Sequence, residues 1–222
     1  VRPLIILHGS WHQPAHFDDV AERLRRDGVD VTVPDVGARP IAEVTRTVQE
    51  IVDQAAEPPV VLGHSYGGVI ASGLTGVSHL ILLAAIISEP GETARYWIER
   101  VTEETGREPE SLPLIFDDEG MTHLDPAAAR EALYADCSDA VAERAIALLR
   151  PEPVSIFTES PTGASWKNTP NTYIVCSEDR ALAPEMVAHF AARCETTVTW
   201  RASHSPFLSR PVELATLIRE RL

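Results

Sequence analysis

Val60-Val61-Leu62-Gly63-His64-Ser65-Tyr66-Gly67-Gly68-Val69-Ile70-Ala71 runs from one apolar segment, through a glycine-flanked serine, into another. The first segment reads as a strand buried on both faces, and Val69 to Leu74 carries helical spacing. The G-x-S-x-G pattern at Gly63, Ser65 and Gly67 therefore lies between strand and helix, the context in which it carries chemistry. In so tight a turn, side chains at Gly63 and Gly67 would collide with neighbouring backbone. The turn lifts the Ser65 hydroxyl above the sheet, and the helix start aims its dipole at developing negative charge. A nucleotide loop fits less well, because the stretch has no G-x-G-x-x-G and no G-K-[ST] to bring a lysine to phosphate.

Outward from this turn, short apolar runs alternate with longer amphipathic ones. Leu4 to Leu7, Val31 to Val33, Val60 to Leu62, Leu80 to Leu83, Tyr173 to Cys176 and Thr197 to Trp200 read as strands. Phe17 to Arg26, Ile41 to Ala56, Pro184 to Arg193 and Pro211 to Leu222 read as helices. In the second of these, Ile41, Val44, Val48, Ile51, Val52 and Ala55 form one stripe. Pro184 and Pro211 suit first helical turns, where a missing N–H is harmless. The alternation predicts an α/β fold with a mostly parallel sheet flanked by helices. The rhythm breaks from about Ser88 to Asn168, a helical and loop-rich segment with Pro/Gly clusters. Residues 1–87 and 169–222 are thus read as the core, and 88–168 as a helical lid inserted between core strands, over the C-terminal edge of the sheet.

The 222 residues suffice for one domain with a sizeable core. A formal net charge of -14 disfavours nucleic acid and anionic lipid as partners. No apolar run is long enough to span a bilayer, and the N-terminus lacks a leader-like pattern. The three cysteines, Cys137, Cys176 and Cys194, are odd in number and lack C-x-x-C spacing, which argues against a disulfide framework or structural zinc. A reduced, cytoplasmic protein is expected.

A serine hydroxyl needs a base, and an ordinary imidazole, with its pKa near ~6.5, supplies one around neutrality. Where G-x-S-x-G forms this elbow, acid and histidine follow the serine in that order along the chain. Beyond the insertion only His189 and His204 remain among the eight histidines. His189 sits inside an amphipathic helix, whereas His204 follows the last strand in a loop, so His204 is the expected base. Glu178 and Asp179 both follow the strand at Tyr173 to Cys176; the shorter side chain favours Asp179 without excluding Glu178. Backbone N–H groups of Tyr66 and Ser10 are the expected oxyanion donors, with Gly9 allowing close approach and His8 bracing the loop. His8, His12 and His16 recur every four residues, but Gly9 and Pro14 interrupt any helix there and no carboxylate completes a metal set, so no metal is expected.

Together these residues resemble the plant-type methylesterase and hydroxynitrile lyase branch of the α/β hydrolases, along essentially the whole chain. The resemblance rests on Leu7-His8-Gly9-Ser10-Trp11-His12, the elbow, Ser203-His204-Ser205-Pro206, and Arg130-Glu131-Ala132-Leu133-Tyr134-Ala135-Asp136-Cys137-Ser138 followed by Leu148-Leu149-Arg150-Pro151. It implies an α/β-hydrolase fold with a helical lid. Its aspartate a few residues before a proline strengthens Asp179 over Glu178. It also implies a small cofactor-free enzyme, often dimeric, acting on small or medium apolar esters. The arginine-heavy, lysine-poor composition suggests a GC-rich bacterial source.

Lyases of that branch typically place a lysine after the catalytic histidine and a threonine after the first-loop histidine. Here Ser205 and Gly9 stand there, and the sole lysine, Lys167, lies at the end of the insertion. Ester hydrolysis through Ser65, His204 and Asp179 is therefore expected ahead of cyanohydrin cleavage, or of a cyclase, dehydratase or lactonase on the same scaffold. Activity should rise with pH as the histidine loses its proton. Trp11 and His12 of the first loop, with Phe116, Leu133, Phe157 and Trp166 of the insertion, are the expected substrate-binding residues. Any one of the insertion's apolar side chains more often packs than binds.

Overall fold

The computed structural model describes residues 2–110 and 112–222. Its centre is a six-stranded sheet. The strands are β1 (Leu4–Leu7), β2 (Val31–Thr32), β3 (Val60–His64), β4 (His79–Leu83), β8 (Asn171–Cys176) and β9 (Thr196–Trp200), in the order β2-β1-β3-β4-β8-β9. Every pairing in this sheet is parallel. Successive side chains of a strand point to opposite faces, and β1 illustrates the consequence. Leu4 and Ile6 enter one core with Phe17, Val20 and Leu24, while Ile5 and Leu7 enter a second with Val44, Val48 and Val52. Both faces are dry, which explains why these strands read as unbroken apolar runs.

The helices that cover the sheet follow their apolar stripes. Helix α1 (Asp18–Arg26) and helix α9 (Pro211–Arg219) turn Val20, Leu24, Leu214 and Ile218 into the first core. Helix α2 (Ile41–Gln54) buries Ile41, Val44, Val48 and Val52 in the second, and leaves Ile51 only partly covered. Helix α3 (Gly67–Ser72) and helix α7 (Pro184–Ala191) complete that side.

Between β4 and β8, which are neighbours in the sheet, lies the long inserted segment. It holds helix α4 (Ala94–Thr105), helix α5 (Pro126–Ala132) and helix α6 (Asp139–Ala147). It is less purely helical than its sequence suggests. Strands β5 (Leu114–Phe116), β6 (Met121–Leu124) and β7 (Glu152–Pro153) form a small antiparallel sheet. These strands are two to four residues long, too short for a period-2 pattern to emerge, and Pro153 ends the shortest of them.

The inserted segment is tied to the core by charge and backbone. Arg150 makes a bidentate pair with Asp35 at 2.7 and 2.8 Å. Glu159 accepts from the N–H of Ile41, the first residue of α2, where a carboxylate meets an unpaired donor and the positive end of the helix. The last short helix, α8 (Pro206–Ser209), follows the His204 loop and packs Phe207 on Phe17 with ring centroids 4.1 Å apart.

Candidate active site

Four loops at the C-terminal ends of parallel strands meet at one place, where ligands gather in open α/β sheets. Gly9 to His12 follow β1, Ser65 follows β3, Asp179 follows β8 and His204 follows β9. Ser65 sits at φ 52°, a left-handed conformation that costs a residue with a Cβ. The turn is held by its own backbone: Ser65 N–H donates to Leu83 O at 3.2 Å, and Ser65 O accepts from Gly68 and Ile86 N–H at 3.0 Å each. At Gly63, a Cβ would lie 2.9 Å from the Gly67 carbonyl oxygen, the collision expected of a turn this tight. A Cβ on Gly9 would come within 2.8 Å of the Ser65 Cβ, so the β1 loop passes the serine at a distance only glycine permits.

His204 and Asp179 are brought together. The His204 Nδ1–H donates to Asp179 Oδ2 at 2.8 Å, with both side chains almost fully buried, 2% and 4% exposed. The other carboxylate oxygen accepts from the N–H groups of Ala181 at 2.8 Å and Leu182 at 3.2 Å, which fixes its plane. Glu178 points elsewhere, to Arg201 at 2.7 Å on the exposed surface, so the structure separates the two carboxylates the sequence left open. The main-chain carbonyl of His204 accepts from His64 Nε2–H at 2.9 Å. His189 is remote from this, paired with Glu104 at 2.7 Å.

The β1 loop is shaped for its task. Gly9 O accepts from His8 Nδ1–H at 3.0 Å and from His12 N–H at 3.3 Å. A trans peptide directs its N–H opposite to its carbonyl, so these two bonds aim the Ser10 N–H away from His8. His8 Nε2 in turn accepts from Val36 N–H at 3.1 Å, and burial lowers its pKa, which keeps it neutral. Trp11 lies at φ 62°, with its indole N–H donating to Thr122 at 3.1 Å and its carbonyl accepting from Arg150 N–H at 2.8 Å. Two elements of the inserted segment thereby clamp the loop.

A cavity of about 180 Å³ opens over Ser65 and His204, and Ser10 and Tyr66 also line it. Of the expected binding residues, Trp11, His12, Leu133 and Phe157 line it. Phe116 does not: it ends the short edge strand β5 and is 63% exposed. Trp166 does not either. It is buried in the second core with its indole N–H on Ser88 O at 3.2 Å. The rest of the wall is largely apolar and includes Ile156, Leu182 and Met186. The last two follow Asp179 closely in sequence, a signal that proximity to the acid offered. No lysine or arginine among the described residues lines the cavity.

His16 and His64 are buried beside His12 of the cavity wall, which is itself buried. His12 meets His16 and His64 edge-on, with ring centroids 4.6 and 5.4 Å apart. Desolvation lowers the pKa of all three, that of His16 to about 4, so they sit there neutral. Among the described residues no group of three metal-ligating side chains is assembled, and His16 spends its ring nitrogens on Gln13 and Ala145. Nor is any helix of the described residues long and apolar enough to cross a membrane.

Residues 4–217 match the model of the alpha/beta hydrolase family. The chain belongs to that family. It is similar to the alpha/beta hydrolase nvfD of Aspergillus novofumigatus, 28% identical over 97% of this chain and 94% of that one. It is also similar to a pyrethroid hydrolase of Sphingobium wenxiniae, 27% identical over 99% and 87%, and to Methylesterase 10 of Arabidopsis thaliana, 26% identical over 97% and 90%. A solved pyrethroid hydrolase structure superposes with a TM-score of 0.82 at 24% identity, covering 99% of this chain and 96% of that one. The protein is thus an enzyme of the hydrolase kind, and its relatives carry the names of hydrolases and esterases.

Proposed function

We propose that the protein is a serine esterase that hydrolyses small or medium apolar carboxylic esters, methylesterase-like in its chemistry. The observation that carries this reading is the meeting of Ser65 and His204 on the wall of one apolar cavity, with the His204 imidazole anchored on buried Asp179. Asp179 engages Nδ1, so Nε2 is the nitrogen available to Ser65. In this mechanism His204 Nε2 takes the Ser65 proton as Oγ attacks the ester carbonyl, and the imidazolium is stabilised by the Asp179 side chain. The tetrahedral oxyanion is held by Ser10 and Tyr66 N–H groups. Helix α3 has six residues, so these two amides rather than a long helix dipole supply that stabilisation. The proton passes to the departing alkoxide, and water, activated by the same imidazole, releases the acid from the acyl-enzyme.

The inserted segment acts as the lid, with Leu133, Ile156 and Phe157 excluding water and receiving apolar groups. Cyanohydrin cleavage would release an anion that needs a cationic partner, and the described wall offers no lysine or arginine. Ester hydrolysis has no such need. The three cysteines are unpaired, and burial pushes the Cys137 and Cys194 thiols up to about 12, so they suit a reducing, cytoplasmic setting as inert thiols.

The test is a fluorophosphonate probe and a panel of short-chain aryl esters on the wild type and Ser65→Ala. Labelling and turnover are expected in the wild type. Both should disappear in the variant, with kcat falling by about 10⁴-fold or more. A wild type that neither labels nor turns over any ester would sink the reading.

A further inference from the structure

Arg130 to Ser138 is a distinctive stretch, yet it contributes only Leu133 to the cavity wall. Most of it forms the turn between α5 and α6, tied by Arg130. The guanidinium donates to the carbonyls of Tyr134 at 2.6 Å and Cys137 at 3.2 Å, and pairs with Asp139 at 3.0 Å. Two side chains of this turn reach two different loops of the core.

Fully buried Tyr134 meets His12, with its OH 3.0 Å from Nε2. His12 Nδ1 lies 3.0 Å from the Ser10 carbonyl, which can only accept. Nδ1 therefore carries the proton, Nε2 accepts, and the Tyr134 hydroxyl donates. Burial raises the Tyr134 pKa and keeps that donor protonated. Asp136, exposed itself, accepts from the Ser203 N–H at 3.1 Å, from the Ser203 hydroxyl, and from the Ser209 hydroxyl at 2.9 Å. Ser203 is fully buried and directly precedes His204.

We propose that Tyr134 and Asp136 are positioning residues for the hydrolytic reaction, one holding Ser10 at its carbonyl through His12 and the other holding the His204 loop through Ser203. The inference rests on the reading of Ser65, His204 and Asp179 given above. Its physical need is plain from the sheet. The Ser10 loop follows β1 and the His204 loop follows β9, with β3, β4 and β8 between them. The two loops converge at the site from strands four positions apart, and the strand ladder, which bonds only neighbours, does not set one loop against the other. A single turn bonded to both gives them a common frame, and neither Tyr134 nor Asp136 lines the cavity.

The test compares the wild type with Tyr134→Phe, Asp136→Asn and Asp136→Glu. The readings are kcat and KM on an aryl ester, the rate of fluorophosphonate labelling, thermal unfolding, and imidazole ¹⁵N NMR of His12. Tyr134→Phe and Asp136→Asn should each lower kcat by about 10- to 100-fold and leave KM within about twofold, with labelling slowed in proportion. Asp136→Glu should recover part of the loss. In Tyr134→Phe the His12 Nε2 signal should shift, because that nitrogen loses its donor while Nδ1 keeps its proton on the Ser10 carbonyl. Wild-type kcat in folded variants would overturn the proposal, as would a loss of activity that follows only the unfolded fraction. A wild type that does not label refutes the esterase reading instead. The NMR arm then still decides the relay: an unchanged His12 signal in Tyr134→Phe overturns it, and a changed one supports it.

Discussion

Single atoms decide the chemistry at Ser65 and Gly9. Ser65 holds φ 52°. A residue with a Cβ pays for that conformation and glycine does not, so the usual ranking of alanine over glycine should invert here. Ser65→Gly is expected to be more stable than Ser65→Ala by about 1 kcal/mol in urea titrations, with both inactive. At Gly9 the Ser65 Cβ stands 2.8 Å from where a methyl would be placed. Gly9→Ala should displace the Ser10 N–H and reduce kcat by roughly 100-fold, while overpacking lowers stability by about 1–3 kcal/mol. Steady-state kinetics together with thermal unfolding check both effects; a fully active Gly9→Ala would mean the β1 loop is not where the oxyanion forms. His204, Asp179 and the elbow were legible because strand ends and chain order single them out. Asp179 was favoured over Glu178 by side-chain length and by the resemblance, but the directions of two adjacent carboxylates are given only by the fold, where the Ala181 N–H fixes one of them.

Among the elements, the small sheet of the inserted segment has the largest unforeseen part. Strand β6 carries Thr122, fully buried, which accepts from the Trp11 indole and donates to Glu152 O at 2.8 Å. Thr122→Val keeps the shape but leaves the buried Trp11 indole N–H without a partner and removes one hydrogen bond to Glu152 O. It is expected to cost about 1–3 kcal/mol and to lower kcat through the loosened Trp11. Chemical denaturation and kinetics on the same preparation measure both, and a variant as stable as the wild type would remove Thr122 from the clamp. Phe116 shows why the sequence misled at this scale. An aromatic in an apolar run reads as pocket or core, but Phe116 ends a three-residue edge strand and stays exposed, while Leu114 at the other end lines the cavity.

For the whole molecule, the buried histidines couple stability to acidity. His12, His16 and His64 are neutral when folded, with pKa values lowered by burial, and protonate freely when unfolded. The unfolded chain therefore binds more protons below its ordinary imidazole pKa of about 6.5, and stability falls as pH drops through that value. For His16 the fall continues to about pH 4 and amounts to something on the order of 3 kcal/mol. Urea unfolding at steps from pH 7.5 to 4 should show this decline, and His16→Gln should make it shallower, with His12 and His64 still contributing; a curve flat from pH 6.5 to 4 would contradict the burial of neutral imidazoles. The sequence alone determined the parallel sheet, because strands covered on both faces must be apolar throughout and helices between them must carry a stripe. It also determined the elbow, because few residue patterns survive so tight a turn. Only the tertiary structure decided which residues of 88–168 face the cavity, that Trp166 belongs to the core, and that Tyr134 and Asp136 reach loops of β1 and β9. Those contacts join residues from about 65 to more than 120 positions apart, and no local periodicity encodes which distant partner a polar side chain will meet.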